Sequence, residues 1–261
     1  MSDVRVTVDR QGPLLLIGLN RPEKRNAADL AMLEQLAHAY GELDRDPELR
    51  VGVVYAHGAH FTAGLDLGDL VPRIGPDGLR MVPEGGINPW GTEGQRVSKP
   101  VVLAVQGTCL TLGIELALAS DIVVAADDTE FAQLEVARAI LPFGGATTRF
   151  AARAGWGDAM RWMLTGDRFD AADALRMGLV QEIVPTGQQL ERAITLAERI
   201  AAQAPLAVQA TLANARLAER DGPAAAEARL QAELVRLMQT DDARIGMEAF
   251  MTRSTPQFTG R

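Results

Sequence analysis

The chain has 261 residues, of which 47% are hydrophobic and 23% charged, a composition that can bury a sizeable core and that excludes a disordered polypeptide. A net charge of −8, with no cluster of Lys and Arg, argues against broad nucleic-acid binding. The only cysteine, Cys109, excludes an intramolecular disulfide, and no Cys/His spacing offers a metal site, so a reducing, cytoplasmic setting is expected.

Val4, Val6 and Val8 alternate with polar residues, and LLLIGL follows Gly12-Pro13, which predicts a two-stranded hairpin. This first apolar run is too short to span a bilayer, and no cleavage pattern follows it, so neither a membrane anchor nor a targeting segment is expected. Asn26 is placed to cap a helix whose Leu30, Leu33, Ala37 and Tyr40 share one face. A strand over 50–56 and a glycine-punctuated loop over 58–69 come next, giving a βαβ rhythm. GLDLGDL is no phosphate loop, since it lacks the Gly-Lys-Ser/Thr ending. Residues 71–97 are rich in Pro and Gly without an apolar period, and read as a long, partly mobile loop near a functional site.

The centre of the chain carries the chemistry. Val101 to Val105 is a continuous apolar run expected to be a buried strand, with a turn at Gln106-Gly107 and a helix opening near Gly113. A strand feeding a helix N-terminus leaves N–H groups aimed outward, which suits a polarised carbonyl oxygen. Glu115 and Glu135 both sit among apolar neighbours, where desolvation and a like-charged partner raise a carboxyl pKa toward the neutral range that proton transfer requires. His57 and His60 read as polar surface and Cys109 as a small buried hydrophobe. Further on, a short helix is expected over 158–164, and Asp170 with Asp173 reads as a capping box opening a helix that Gly178 closes. Helical stripes then follow: Leu190/Ile194/Ala197/Ala201, Val208/Leu212/Ala215 and Leu230/Leu234/Leu237, with Pro223 at a helix start. The expected organisation is an α/β body over 1–185 and a helical region over 186–261.

Eight segments in this order resemble the crotonase (enoyl-CoA hydratase/isomerase) superfamily: LNRPEKRNA, FTAGLDL, KPVVLAVQG, ELALASDI, FAQLEV, LPFGGATTR, LTGDRFDAADALRMGLV and GMEAF. The resemblance implies a crotonase-like spiral of ββα turns, a C-terminal helical region that packs homotrimers or hexamers, and an acyl-CoA thioester substrate. It implies no cofactor beyond the coenzyme A of the substrate, and no metal. Carried over residue by residue, Glu115 and Glu135 match the catalytic glutamates, and the backbone N–H groups of Leu65 and Leu112 match the oxyanion hole. Arg25, Ala27, Ala63, Gly64, Asp66, Leu67 and Gly113 match positions around the CoA moiety and thioester. Where the family pattern has three glycines this chain has Thr111-Leu112-Gly113, which predicts a narrower pocket because Leu112 adds a branched side chain. The implied activity is hydration of a 2-enoyl-CoA in fatty-acid or related acyl-CoA degradation. An enoyl-CoA isomerase or other crotonase-type reaction, a non-catalytic acyl-CoA-binding protein and, more remotely, a peptidase are the alternatives.

Overall fold

The structure, a computed structural model, describes residues 4–261. Val6–Gln11 (β1) and Leu14–Leu19 (β2) pair as the expected antiparallel hairpin. β2 then pairs in parallel with Val51–Ala56 (β3), which pairs with Val101–Val105 (β4). Ile122–Ala126 (β6) and Glu182–Val184 (β9) complete a six-stranded sheet in the order β1-β2-β3-β4-β6-β9. β4 is buried throughout because both faces of the sheet are covered, which is why its sequence is a continuous apolar run. Leu103 and Val105 join the main core, whereas Val102 and Ala104 pack with Ala193, Ala197 and Ala201 on the opposite face.

Those three alanines belong to Gln189–Ala201 (α7), whose small residues let the helix lie against β3, β4 and β6. In packing terms, therefore, the sheet body takes in α7, and the helices that stand off it begin at Pro205. They are Pro205–Asp221 (α8), Pro223–Glu227 (α9), Leu230–Met238 (α10) and Asp241–Thr252 (α11). Leu230 and Leu234 of the third stripe are more than half exposed. Among the described residues, no helix is long and apolar enough to cross a membrane.

Three local expectations are corrected. Leu30–Arg45 (α1) is capped by Asp29, whose carboxylate accepts the Met32 N–H at 2.9 Å, and not by Asn26. Asn26 is instead fully buried at φ +53°, a conformation that Asn tolerates better than most residues. After the Gln106-Gly107 turn the chain forms a short strand, Thr108–Leu110 (β5), before the helix Leu112–Ala119 (α3) opens. β5 pairs with Glu130–Ala132 (β7), which pairs with Arg168–Asp170 (β8), making a second, three-stranded sheet. Finally, a helix not read from the sequence, Ala146–Ala154 (α4), precedes Trp156–Thr165 (α5). The capping box at Asp170 is formed, with Asp170 accepting the Asp173 N–H at 2.8 Å to open Ala171–Arg176 (α6).

The 71–97 stretch holds only one 3-10 turn, Val71–Arg73. Its second half is packed into the body: Met81, Asn88, Trp90 and Val97 are buried, and the Trp90 indole donates to the Leu112 carbonyl at 3.1 Å.

Candidate active site

Asn26 organises the first wall of the site. Its side-chain amide donates to the carbonyls of His57 (2.9 Å) and His60 (2.8 Å), and its main-chain carbonyl accepts the Thr62 hydroxyl at 2.7 Å. The same hydroxyl accepts the Gly64 N–H at 3.1 Å, while Ala28 N–H donates to Gly64 and Asp66 N–H donates to Ala28. This pairing occupies the amides on both sides of Leu65 and leaves the Leu65 N–H with no acceptor among the described residues. Gly64 at φ +93° makes the turn possible.

The second wall is the opening of α3. Leu112 is its first residue, so its N–H has no intrahelical acceptor. Gly113 lies against Thr62, where a Cβ would stand 2.6 Å from the threonine methyl carbon. The missing side chain lets α3 dock onto the 61–65 segment, setting the two unpaired N–H groups on the walls of one cavity.

That cavity has a volume of about 220 Å³ and is lined by both glutamates, by Ala63, Leu65, Leu67 and Leu112, and by Thr111, Leu134, Arg138, Ile140 and Phe143. Of the residues that the resemblance singled out, Arg25, Ala27, Gly64, Asp66 and Gly113 do not line it. Arg25 is exposed beside it, Gly64 and Gly113 lie behind its walls, and the Asp66 carboxylate is held by Arg21 at 2.8 Å. No residue of 71–97 lines it either; that segment acts on the site from behind, through Trp90. Leu112 is 4% exposed and its side chain is mostly in the core, so it narrows the cavity less than the sequence suggests.

Glu115, 1% exposed, is placed by α4: its carboxylate accepts the Ala146 N–H at 3.1 Å, at the positive end of that helix. Gly144 makes room, since a Cβ there would lie 2.6 Å from Glu115 Oε2. Arg149 reaches back from α4 to the carbonyls of Gly144 (3.3 Å) and Gly91 (3.2 Å) and brings a positive charge near Glu115. Burial outweighs these stabilising contacts and, with Glu135 nearby, pushes the Glu115 carboxyl up to about 7. Glu135 opens a 3-10 turn, is 6% exposed, and accepts the Gln133 side-chain amide at 3.2 Å. Its other oxygen has no partner among the described residues, and burial likewise raises its pKa to about 7.

A carboxyl whose pKa is raised by folding binds its proton more tightly in the native state. The associated stability is complete below the unfolded value near 4.5 and is lost as pH rises through about 7. Glu115→Gln or Glu135→Gln should therefore leave the melting temperature nearly unchanged at pH 3.5 and raise it at pH 8, corresponding to about 2–4 kcal/mol for either single change. Calorimetric scans at the two pH values measure this, and equal shifts at both would contradict it.

Gln133, Arg138, Gly144, Ala146 and Trp90 contribute to the site without having been singled out by sequence, whereas Thr111 stands out there only as part of the departure from the glycine run. His60 accepts the Thr108 N–H at 3.2 Å and His57 pairs with Thr7 at 2.8 Å, so both hold local structure. Cys109 is completely buried, which pushes its thiol pKa far up and keeps it a hydrophobe. Among the described residues no group of three or more His, Cys, Asp or Glu could hold a metal ion.

The chain that carries this site is similar to known proteins in sequence and in fold. The sequence profile of the enoyl-CoA hydratase/isomerase family matches residues 9–261. Enoyl-CoA hydratase EchA19 of Mycobacterium tuberculosis is 32% identical, covering 97% of this chain and 96% of that protein. The 2,3-dehydroadipyl-CoA hydratase of Escherichia coli is 33% identical, covering 97% and 98%. Among solved structures, a probable enoyl-CoA hydratase/isomerase from Mycobacterium abscessus superposes with a TM-score of 0.96 at 56% identity, over 98% of this chain and 99% of that one. An enoyl-CoA hydratase from M. tuberculosis gives 0.90 at 37%, over 99% and 100%. Sequence and fold agree along the full length of each: this chain belongs to the crotonase superfamily, in its enoyl-CoA hydratase/isomerase family.

Proposed function

We propose that the protein adds water across the double bond of a 2-enoyl-CoA thioester. The observation that supports this reading most directly is the pair of buried carboxyls, both raised to about 7, in the cavity that carries the free Leu65 and Leu112 N–H groups. Near neutral pH such a pair is poised to hold one proton, so one member serves as base while the other serves as acid. Glu115 takes a proton from water as its oxygen bonds to the β-carbon. The electron pair moves toward the thioester oxygen, where the two N–H groups stabilise the developing charge, and Glu135 delivers its proton to the α-carbon. A return transfer between the carboxyls restores the starting state. Coenzyme A enters as part of the substrate, and the exposed Arg25 guanidinium would meet one of its phosphates. Relatives that act on enoyl-CoA and 2,3-dehydroadipyl-CoA support the thioester class. Purified protein incubated with enoyl-CoAs of graded chain length should abolish the absorbance of the conjugated thioester; no loss with any of them would end the proposal.

We further propose that the chain assembles as a trimer or a pair of trimers. Supporting this are the exposed apolar side chains of α10 and α11, with Leu230, Leu234, Val235 and Met238 more than half exposed and Phe250 79% exposed. Light scattering at micromolar concentration should give three or six times the chain mass, with little dependence on salt because the contacts are apolar. A stable monomer would rule it out.

A further inference from the structure

The turn that presents the Leu112 N–H carries a side chain where the glycine-run pattern has none. Thr111 adopts φ 49° and ψ −110°, a conformation that β-branched residues rarely occupy. Three hydrogen bonds hold it there: Thr111 N–H to the Ala132 carbonyl (2.9 Å), Glu115 N–H to the Thr111 carbonyl (3.1 Å), and Leu110 N–H to the Thr62 carbonyl (3.0 Å). Because the partners lie on separate segments, the turn cannot relax by a local rotation without breaking a strand pairing or the start of α3. One result is the position of the Thr111 side chain. It lines the cavity and stands over Gly64, where a Cβ would collide with the threonine hydroxyl oxygen. That oxygen therefore lies against Gly64, the residue preceding Leu65, and belongs to the residue preceding Leu112, in the cavity that Leu65 and Leu112 also line. It has no hydrogen-bond partner among the described residues, whereas both cavity glutamates accept an N–H. A threonine hydroxyl rotates freely and can direct its proton into the cavity.

We propose that Thr111 is a further catalytic residue, whose hydroxyl donates a third hydrogen bond to the thioester carbonyl oxygen beside the N–H groups of Leu65 and Leu112. No covalent bond to Thr111 is made or broken. The donor acts on charge that grows at the oxygen as the reaction proceeds, so its effect falls on kcat more than on KM. The choice of reaction rests on the hydration reading above, but the contact itself can be observed without turnover.

Three variants separate the hydroxyl from the shape. Thr111→Val keeps the β-branch and removes the hydroxyl, Thr111→Ser keeps the hydroxyl, and Thr111→Gly removes both while freeing the backbone. A hydrogen bond to the thioester oxygen draws electron density through a conjugated acyl group and moves its absorption to longer wavelength. Bound cinnamoyl-CoA should therefore show a smaller red shift in the valine and glycine variants than in wild type, with serine close to wild type. In hydration of crotonyl-CoA, Thr111→Val should lower kcat roughly 10- to 10²-fold, below the loss typical of a backbone oxyanion donor, with KM little changed. Thr111→Val, which keeps the β-branch at the same backbone angles, should melt close to wild type, and Thr111→Gly no lower, which removes unfolding as the explanation. A valine variant with the wild-type red shift and kcat would overturn the inference, as would equal losses in valine and serine. If wild type hydrates no enoyl-CoA, yet shifts the cinnamoyl band and the valine variant does not, the contact stands and the hydratase reading fails.

Discussion

Glu115→Gln and Glu135→Gln are each expected to lower hydration of a 2-enoyl-CoA by roughly 10²–10⁴-fold, the range that a general acid or base contributes. The substitution keeps size and hydrogen-bonding capacity. Ala146 N–H can still donate to the side-chain oxygen at 115, and Gln133 to that at 135, so CoA-thioester binding should hardly change. If the carboxyls act as a unit, the double variant should lose far less than the product of the single losses. Persistent α-proton exchange with Glu115→Gln, together with its complete loss in Glu135→Gln, would favour double-bond isomerisation, which needs only one carboxylate. Wild-type rates in both variants, with thioester binding intact, would make the protein a binding module. Steady-state kinetics with isothermal titration of a CoA thioester distinguishes these results.

Leu112→Pro is expected to cost a further, separable 10²–10³-fold or so, the worth of one oxyanion donor. Leu112 is the first residue of α3, the helical position that proline accepts best, and its N–H makes no intrahelical bond. The substitution thus removes the donor at a position where the helix tolerates proline, and a melting temperature matching that of Leu112→Ala is the check that Thr111, which precedes it at φ 49°, keeps its turn. The proline also removes a core side chain, so Leu112→Ala is the reference: it empties the same core volume and retains the N–H. The ratio of kcat between the alanine and proline variants measures the donor. A ratio near one would show that the thioester oxygen does not reach Leu112.

Glu115 could be found from the sequence because a carboxylate inside Ile-Glu-Leu-Ala-Leu-Ala has no helical face to solvent. The groups that place it could not. Ala146 and Gly144 act through a main-chain N–H and through an absent Cβ, neither of which leaves a residue-specific signature that far along the chain from Glu115. Asn26 reads as a helix cap and is not one for a physical reason: the short amide that suits it to helix caps also suits it to left-handed backbone and loop cross-links, and here the second use prevails. β5 escaped notice because three residues are too few to display an alternating pattern. β4 declared itself because a strand covered on both faces must be apolar at every position. The helices after Pro205 were legible as helices but not in their exposure, since an apolar stripe is the same whether it meets the chain's own core or remains uncovered.

The bond from the Trp90 indole to the Leu112 carbonyl has an optical consequence. Of the three tryptophans, Trp156 is largely solvated, whereas Trp162 packs beside Phe169 and away from the cavity lining, leaving Trp90 as the buried fluorophore tied to the turn that presents the Leu112 amide. Loading that amide polarises the residue whose carbonyl holds the indole. The buried Trp162 adds a constant contribution at the blue edge of the emission spectrum, so it is the change there, in a Trp162→Phe background, that carries a signal of occupancy at the oxyanion turn, with no label attached to protein or ligand.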